Sequence, residues 1–397
     1  MKTGNKRNLF KVSKKSVQEY EKEINRLKNK LNQKEVEIKE LRDKIEDIVS
    51  DKLNLKGSNT ENDILPEEIK KIIENGDFVD VQRKYINQIP WRNNDVPDID
   101  MSYAEQILEK SHSGMREVKE RFIKYIACQK HIGKNYGAVL LLVGPPGVGK
   151  TSISKTLAES MGRKFAKISL AGEASSQAIK GYDKNYVNPH PGKIVEAIIG
   201  AQSMCPLVLL DEIDKIGMSS EHGSVESALI DLLDSDRTNF VDNLLNFPID
   251  LSNVIFIATA NATNTISPIL LNRMKVIRLK GYTIEEKIDI AMNHLFPNLM
   301  LKYKLTKDEM NIDIKTLKYI IETYTNEPGI RTLEQILREL CESVIYTMQV
   351  YDESRRDITI SEFNSLMGYT KKTLKAKKAS KEKVVEKRIL KRADLYN

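Results

Sequence analysis

The feature that most constrains this chain is the segment Gly144-Pro-Pro-Gly-Val-Gly-Lys150-Thr151, which directly follows the apolar run Val139–Val143 and opens a helical pattern. A glycine-rich loop between a buried strand and a helix lets backbone N–H groups approach phosphate oxygens, with the positive end of the helix behind them. Gly144, Pro145, Pro146, Gly147, Val148, Gly149, Lys150, Thr151 and Ser152 are therefore the expected nucleotide-binding residues. Lys150 would reach the β and γ phosphate oxygens, and the Thr151 hydroxyl would ligate Mg²⁺.

A second apolar strand, Leu207-Val-Leu-Leu, ends in the acid pair Asp211-Glu212. Asp211 is expected to hold the same Mg²⁺, and Glu212 to orient and deprotonate an attacking water. Two acids at that position distinguish a hydrolase of this kind from a simple nucleotide binder. A third strand, Val254-Ile-Phe-Ile-Ala-Thr-Ala, leads to Asn261, which could hydrogen-bond the same water and the γ-phosphate; at a strand end, asparagine also serves ordinary turn chemistry.

Around these motifs the chain is organised in segments. Apolar residues from Val17 to Leu55 recur in steps of three and four, a heptad pattern sustained over about five heptads, with Lys34 and Lys52 interrupting the seam. Such a stripe pairs with another helix or lies as a long solvated helix on its own body. Gly57–Asp63 reads as a hinge. From Met101 onward, strands at 139–143, 165–169, 207–210 and 254–258 alternate with helical stretches, which implies a parallel sheet covered on both faces. After Tyr282 the pattern is helical only, including 284–295, 314–324 and 331–351. The resulting division is a basic tail at 1–15, a coiled coil at 16–56, a linker and helical segment at 57–100, an α/β domain at 101–281, a small helical domain at 282–369 and a basic tail at 370–397.

Bulk composition excludes several classes. With 397 residues there is chain for two or three domains. No run approaches the roughly 18 to 20 apolar residues of a membrane span, and the basic N-terminus lacks a short apolar stretch with a cleavage site. The expectation is a cytoplasmic protein that does not cross a membrane. Cys128, Cys205 and Cys341 are read as buried free thiols. The net charge of +7 is concentrated: the last 29 residues hold eleven basic and three acidic side chains, which leaves the rest close to neutral. That tail is either a solvated extension or a site for nucleic acid or another polyanion.

Six blocks in order resemble the AAA+ module of the Lon protease family, over about Val81 to Tyr369. They are Ile89-Pro-Trp91, Val143 through Ser152, Asp211-Glu-Ile-Asp-Lys215, Ala258-Thr-Ala-Asn261, Asn272-Arg-Met-Lys-Val-Ile-Arg-Leu-Lys-Gly-Tyr-Thr283 and Pro328-Gly-Ile-Arg331. The resemblance implies an α/β P-loop NTPase of AAA+ type with a parallel sheet, joined to a small all-α domain and preceded by the coiled-coil helix. It implies ATP and Mg²⁺ as ligands and a homo-oligomeric, hexameric ring. Arg273 would be an arginine finger reaching a neighbouring subunit, Arg331 a second sensor of nucleotide, and Tyr282 a tyrosine near adenine. Tyr186 and Val187 would stand in the pore loop that grips an unfolding polypeptide, although Asn188 replaces the family's glycine.

The family's Ser–Lys peptidase follows the helical domain and carries a Gly-Pro-Ser-Ala-Gly type turn, which this sequence does not contain. The expectation is thus an ATP-driven unfoldase or remodelling ATPase without its own peptidase, recruiting substrate, an adaptor or a peptidase partner through the coiled coil. The alternatives are a regulatory or motor subunit co-assembling with a separate Lon-type peptidase and an ATPase stimulated by nucleic acid.

Overall fold

The computed structural model describes residues 65–112, 114–132, 139–217, 224–234, 237–351 and 356–368. The heptad segment, the hinge and both basic tails lie outside these residues. The chain divides into a unit at 1–74 and a larger one at 75–397. Of the first, only residues from Leu65 are described, and they enter the helix Glu67–Asn75.

The larger unit is built on five strands: β1 (Val139–Val143), β2 (Phe165–Ser169), β3 (Leu207–Asp211), β6 (Ile255–Ala260) and β7 (Met274–Arg278). All pair in parallel, in the order β2-β3-β6-β1-β7. Every residue of β1 and β6 is buried, which explains why these strands read as continuous apolar runs without alternation. Two further short strands, β4 (Phe240–Val241) and β5 (Pro248–Ile249), form an antiparallel pair. The sheet core gathers Leu140, Leu142, Leu209, Ile255 and Ile257 with Phe122, Ile126, Ile153 and Leu157 from flanking helices.

The chain then enters a helical subdomain. Its first helix, Ile284–Ile290, opens with a reciprocal cap: Thr283 Oγ1 accepts the Glu286 N–H at 3.2 Å and Glu286 Oε2 accepts the Thr283 N–H at 2.8 Å. Helix Ile314–Tyr324 is capped by Asp313, whose Oδ1 accepts the Thr316 N–H at 2.7 Å. These helices and Arg331–Tyr351 enclose a second apolar core around Leu317, Ile320, Leu337, Leu340 and Phe363.

Four expectations need correction. The region after Tyr282 is not helical only, because β8 (Met310–Ile312) and β9 (Arg356–Ile358) pair in parallel. Three-residue strands are too short to show a period of two, so pattern alone cannot find them. The stretch 284–295 is not one α-helix: after Ile290 the chain widens into a π turn, Ala291–Leu295, and helix Phe296–Tyr303 follows. Pro297 has no N–H to donate to the Asn293 carbonyl, which favours the wider turn just before it. The strand expected at 254–258 runs on to Ala260, and β7 adds a fifth strand. Cys205 and Cys341 are buried, but Cys128 is exposed. On helix Arg116–Ile132 the buried residues Val118, Phe122 and Ile126 mark the inner face, and Cys128 lies two positions on, across the helix.

Candidate functional site

The glycine-rich loop leaves the C-terminal end of β1, the position where open α/β sheets bind ligands. A Cβ on Gly144 would lie 2.6 Å from the Leu279 carbonyl oxygen, so only glycine lets the loop pass beyond β7. Gly147 and Gly149 have φ of 78° and 82°, left-handed conformations that glycine adopts without penalty. Gly149 precedes helix Lys150–Ser160 and contributes no capping side chain. The N-terminal N–H groups of that helix remain suited to an anion.

Lys150 Nζ donates to the carbonyls of Gly144 at 2.6 Å and Pro145 at 3.0 Å and to Asn261 Oδ1 at 2.9 Å. Burial holds its pKa below the usual lysine value, against the opposing pull of Asp214, Asp211 and Glu212. The acids are arranged by the sheet register. Leu210 pairs with Ala258, which brings Thr259 beside the end of β3. The Thr259 hydroxyl donates to Asp211 Oδ1 and accepts the Glu212 N–H at 3.0 Å. Lys167, on β2, pairs with Asp211 Oδ2 at 2.6 Å. Glu212 has φ of 60°, an uncommon conformation for a residue with a side chain, and its carboxylate pairs with Lys215. Asp214 Oδ2 accepts the Asn261 N–H at 2.9 Å, while Asp214 Oδ1 is buried without a hydrogen-bond partner.

The helical subdomain closes over this loop. The Ile330 N–H donates to the Gly147 carbonyl at 3.1 Å, and the Tyr282 N–H to the Pro328 carbonyl at 2.8 Å. A Cβ on Gly329 would fall 2.5 Å from the Pro146 carbonyl oxygen. The result is a cleft of about 440 Å³ lined by Pro146, Gly147, Lys150, Thr151, Ser152, Asp211, Glu212, Thr259, Asn261 and Arg331. Tyr282 donates its hydroxyl to the Val148 carbonyl at 3.0 Å, and burial pushes its pKa up to about 12. His112 sits beside it, with Nε2 3.0 Å from Ser152 Oγ.

Sequence reasoning missed Thr259, Lys167, Asp214 and His112 as members of this site. Thr259 carried a signal, as the hydroxyl two residues before Asn261 on a strand of otherwise apolar side chains, and Asp214 stood inside the block 211–215; Lys167 and His112 carried none. Three expected residues stand apart from the cleft. Arg273 pairs with Asp234 at 3.4 Å and its Nε is buried without a partner. Tyr186 is 43% exposed and Val187 96% exposed, on the loop between helices Gln177–Lys180 and Lys193–Ala201.

The arrangement fits a magnesium nucleotide. Two left-handed glycines and an uncapped helix present N–H groups to phosphates; Thr151 and Asp211 offer hard oxygen ligands in the same cleft, and Asp214 Oδ1 supplies an acceptor still to be satisfied.

Two outcomes follow from this geometry. Replacing Thr259 with Val keeps the side-chain shape but removes the hydroxyl, leaving the Glu212 N–H and the Asp211 carboxylate each short of one partner. The variant should lose about 1–3 kcal/mol of stability in chemical denaturation and slow ATP turnover; wild-type values for both would contradict the role. Burial, then Lys119 and His294, lower the His112 pKa from 6.5 to about 4. The folded state therefore disfavours protonating this ring, so its contribution to stability is full above about pH 6.5 and lost as the pH falls toward 4. His112→Gln should lose less melting temperature than wild type between pH 7 and pH 5.

Comparison with known proteins agrees with this geometry. Residues 140–282 match the model of the ATPase family associated with various cellular activities (AAA), and residues 302–356 match the Lon protease AAA+ ATPase lid domain. The chain is 38% identical over 292 residues to a Lon protease of Flavobacterium johnsoniae, covering 72% of this chain and 36% of that protein. A Lon protease of Magnetococcus marinus is 39% identical over 312 residues, covering 77% and 38%, and one of Rickettsia bellii is 44% identical over 259 residues, covering 64% and 33%. The chain thus spans between 33% and 38% of the length of these relatives. No helix among the described residues is long and apolar enough to cross a membrane. Together the sheet order, the cleft and these matches give an α/β P-loop fold with an AAA domain over 140–282, followed over 302–356 by a segment that matches the Lon-type lid.

Proposed function

We propose that this chain is the motor of an ATP-driven protein unfoldase that works as a ring. The observation that carries the reading is the single cleft in which Lys150, Thr151, Asp211, Glu212 and Asn261 of the sheet domain meet Arg331 of the lid. Lys150 and the loop N–H groups would hold the phosphates, and Thr151 and Asp211 would hold Mg²⁺. The ion would supply charge neutralisation on the β and γ phosphates. Glu212 would take the proton of the attacking water once its carboxylate turns from Lys215, and Asn261, already bonded to Lys150, would orient that water. Tyr282, whose hydroxyl bonds the Val148 carbonyl of the loop, would pack near the adenine ring.

The cleft of one chain does not include Arg273. Its place in the site would come from a neighbouring copy, which calls for head-to-tail contacts that close into a ring. Arg331, at the first residue of helix Arg331–Tyr351, would report nucleotide state to the lid. The exposed Tyr186–Val187 pair would grip an extended polypeptide in the ring's pore. The Lon proteases it resembles are larger, so a peptidase acting on the threaded chain is the natural consumer of the product.

Glu212→Gln should retain ATP binding and lose about 10²–10⁴-fold in turnover, as expected for removal of a general base. Arg273→Ala should be slow as well. Mixing the two variants should restore a fraction of the activity, because a ring containing both has sites with an intact Glu212 and a neighbour's intact Arg273. Turnover in the mixture equal to the average of the separate variants would contradict the trans assignment, and wild-type turnover by Glu212→Gln would contradict the catalytic one.

A further inference from the structure

Among the described residues Asp242 is the one carboxylate that is fully buried, with 0% of its surface exposed, and the nucleotide site does not use it. It lies in the turn between β4 and β5. Its two oxygens accept three backbone N–H bonds. Oδ1 takes Leu244 at 2.9 Å and Leu245 at 3.2 Å, which closes the local turn. Oδ2 takes Gly192 at 2.7 Å, across 50 positions of sequence, at the far end of the loop that carries Tyr186 and Val187.

The next residue of the turn holds the near end of the same loop. The Asn243 N–H donates to the Lys180 carbonyl at 2.6 Å, and Asn243 Nδ2 to the Gly181 carbonyl at 2.9 Å. Between these points the loop narrows to a neck. A Cβ on Gly181 would lie 2.7 Å from the Gly192 nitrogen, and one on Gly192 would lie 1.9 Å from the Ile179 carbonyl oxygen. The Tyr182 N–H bonds the His190 carbonyl at 3.0 Å just above the neck, and the Tyr182 ring lies 4.6 Å from the His190 ring and 5.5 Å from that of Tyr186.

The turn is braced from its other side. Gln82 Nε2, on helix Asp80–Gln88, donates to the Leu244 carbonyl at 2.7 Å, and the Phe247 ring lies 6.1 Å from each of Phe78 and Trp91. Burying a carboxylate is costly unless donors surround it. Here burial pushes the Asp242 pKa up to about 6, and the three N–H groups and His190 oppose that rise. An apolar side chain could fill the space but could not join two loops through their backbones.

We propose that Asp242 is a positioning residue that locks the far end of the Tyr186–Val187 loop to the 243–247 turn, as its neighbour Asn243 holds the near end, so that force on the loop's exposed tip passes into the turn and the helix Asp80–Gln88. The proposal rests on reading Tyr186 and Val187 as a grip on polypeptide. A tip that pulls needs a stiff base, and the base here is two glycines held by one carboxylate and its neighbouring asparagine.

Asp242→Asn separates the two halves of the clamp. The amide oxygen can serve Leu244 and Leu245, but the amide nitrogen then opposes the Gly192 N–H, donor against donor. In the full chain, backbone hydrogen exchange across 181–192 should rise about tenfold or more, as expected for loss of a buried hydrogen bond, with exchange in 243–247 little changed and the melting temperature lowered by no more than about a few degrees. The rate of ATP-dependent unfolding of a fluorescent protein bearing an unstructured tag should fall toward that of Tyr186→Ala. Unchanged exchange at 181–192 would overturn the clamp. So would faster exchange throughout 75–368 with a lower melting temperature, which would make Asp242 a general structural residue. A loosened loop that still unfolds substrate at the wild-type rate, while Tyr186→Ala does not, would overturn the positioning role. If the loop loosens and Tyr186→Ala itself unfolds substrate normally, the clamp stands and the grip reading fails. Asp242→Ala, which removes both acceptor oxygens and so all three hydrogen bonds, should loosen both 181–192 and 243–247, and an effect confined to either segment would count against a shared clamp.

Discussion

The nucleotide cleft depends on how closely two backbones meet. Gly329 lies against Pro146 and Gly147 with room for a hydrogen and nothing larger, and the Ile330 N–H ties the lid to the Gly147 carbonyl. That contact turns two domains with separate apolar cores into two walls of one site. It sets Arg331 beside Lys150 and Glu212, and it lets Tyr282 reach the Val148 carbonyl from the segment that joins the domains. A shift of the lid relative to the sheet would change this contact first, and in the proposed ATPase that would give nucleotide turnover a mechanical outlet.

Inside the cleft, the acids are held by neighbours of both kinds. Thr259 joins Asp211 to the Glu212 backbone, Lys167 and Lys215 each pair with one carboxylate, and Asp214 fixes the Asn261 backbone. The left-handed backbone of Glu212 is maintained by this network. Apart from Lys167, which reaches in from the middle of β2, these groups sit at or just beyond the C-terminal ends of β3 and β6, so the parallel register brings separate local motifs into one site. The Asp242 turn uses the same device elsewhere: a carboxylate collects backbone N–H groups from segments far apart in sequence.

How much of this was legible in the sequence follows from what each feature requires. The loop at 144–151, the acids at 211–212 and the strands leading to them carry local patterns, and the sheet domain follows from their alternation with helices. Thr259 and Lys167 take their roles from strand register, which no local pattern encodes, and Asp214 takes its role from the turn after β3, which carries it to the Asn261 N–H. The β8–β9 pair was invisible because three residues show no periodicity, and the π turn before Pro297 because a helical stripe survives one widened turn. The exposure of Cys128 is readable from position, since Val118, Phe122 and Ile126 define the buried face, whereas cysteine as a residue type points to burial. Asp242 looked like an ordinary loop acid; only the meeting of Gly181 with Gly192 gives it a task.

The most direct test of this account is the ATP affinity of Gly329→Ala. The added methyl group must push the lid away from Pro146 and Gly147, while the sheet domain, with its own core, stays folded. The account predicts an ATP Kd weaker by about tenfold or more, equivalent to about 1.4 kcal/mol, with an unchanged melting transition of the sheet domain. Wild-type affinity in that variant would contradict the claim that the lid contact completes the nucleotide site.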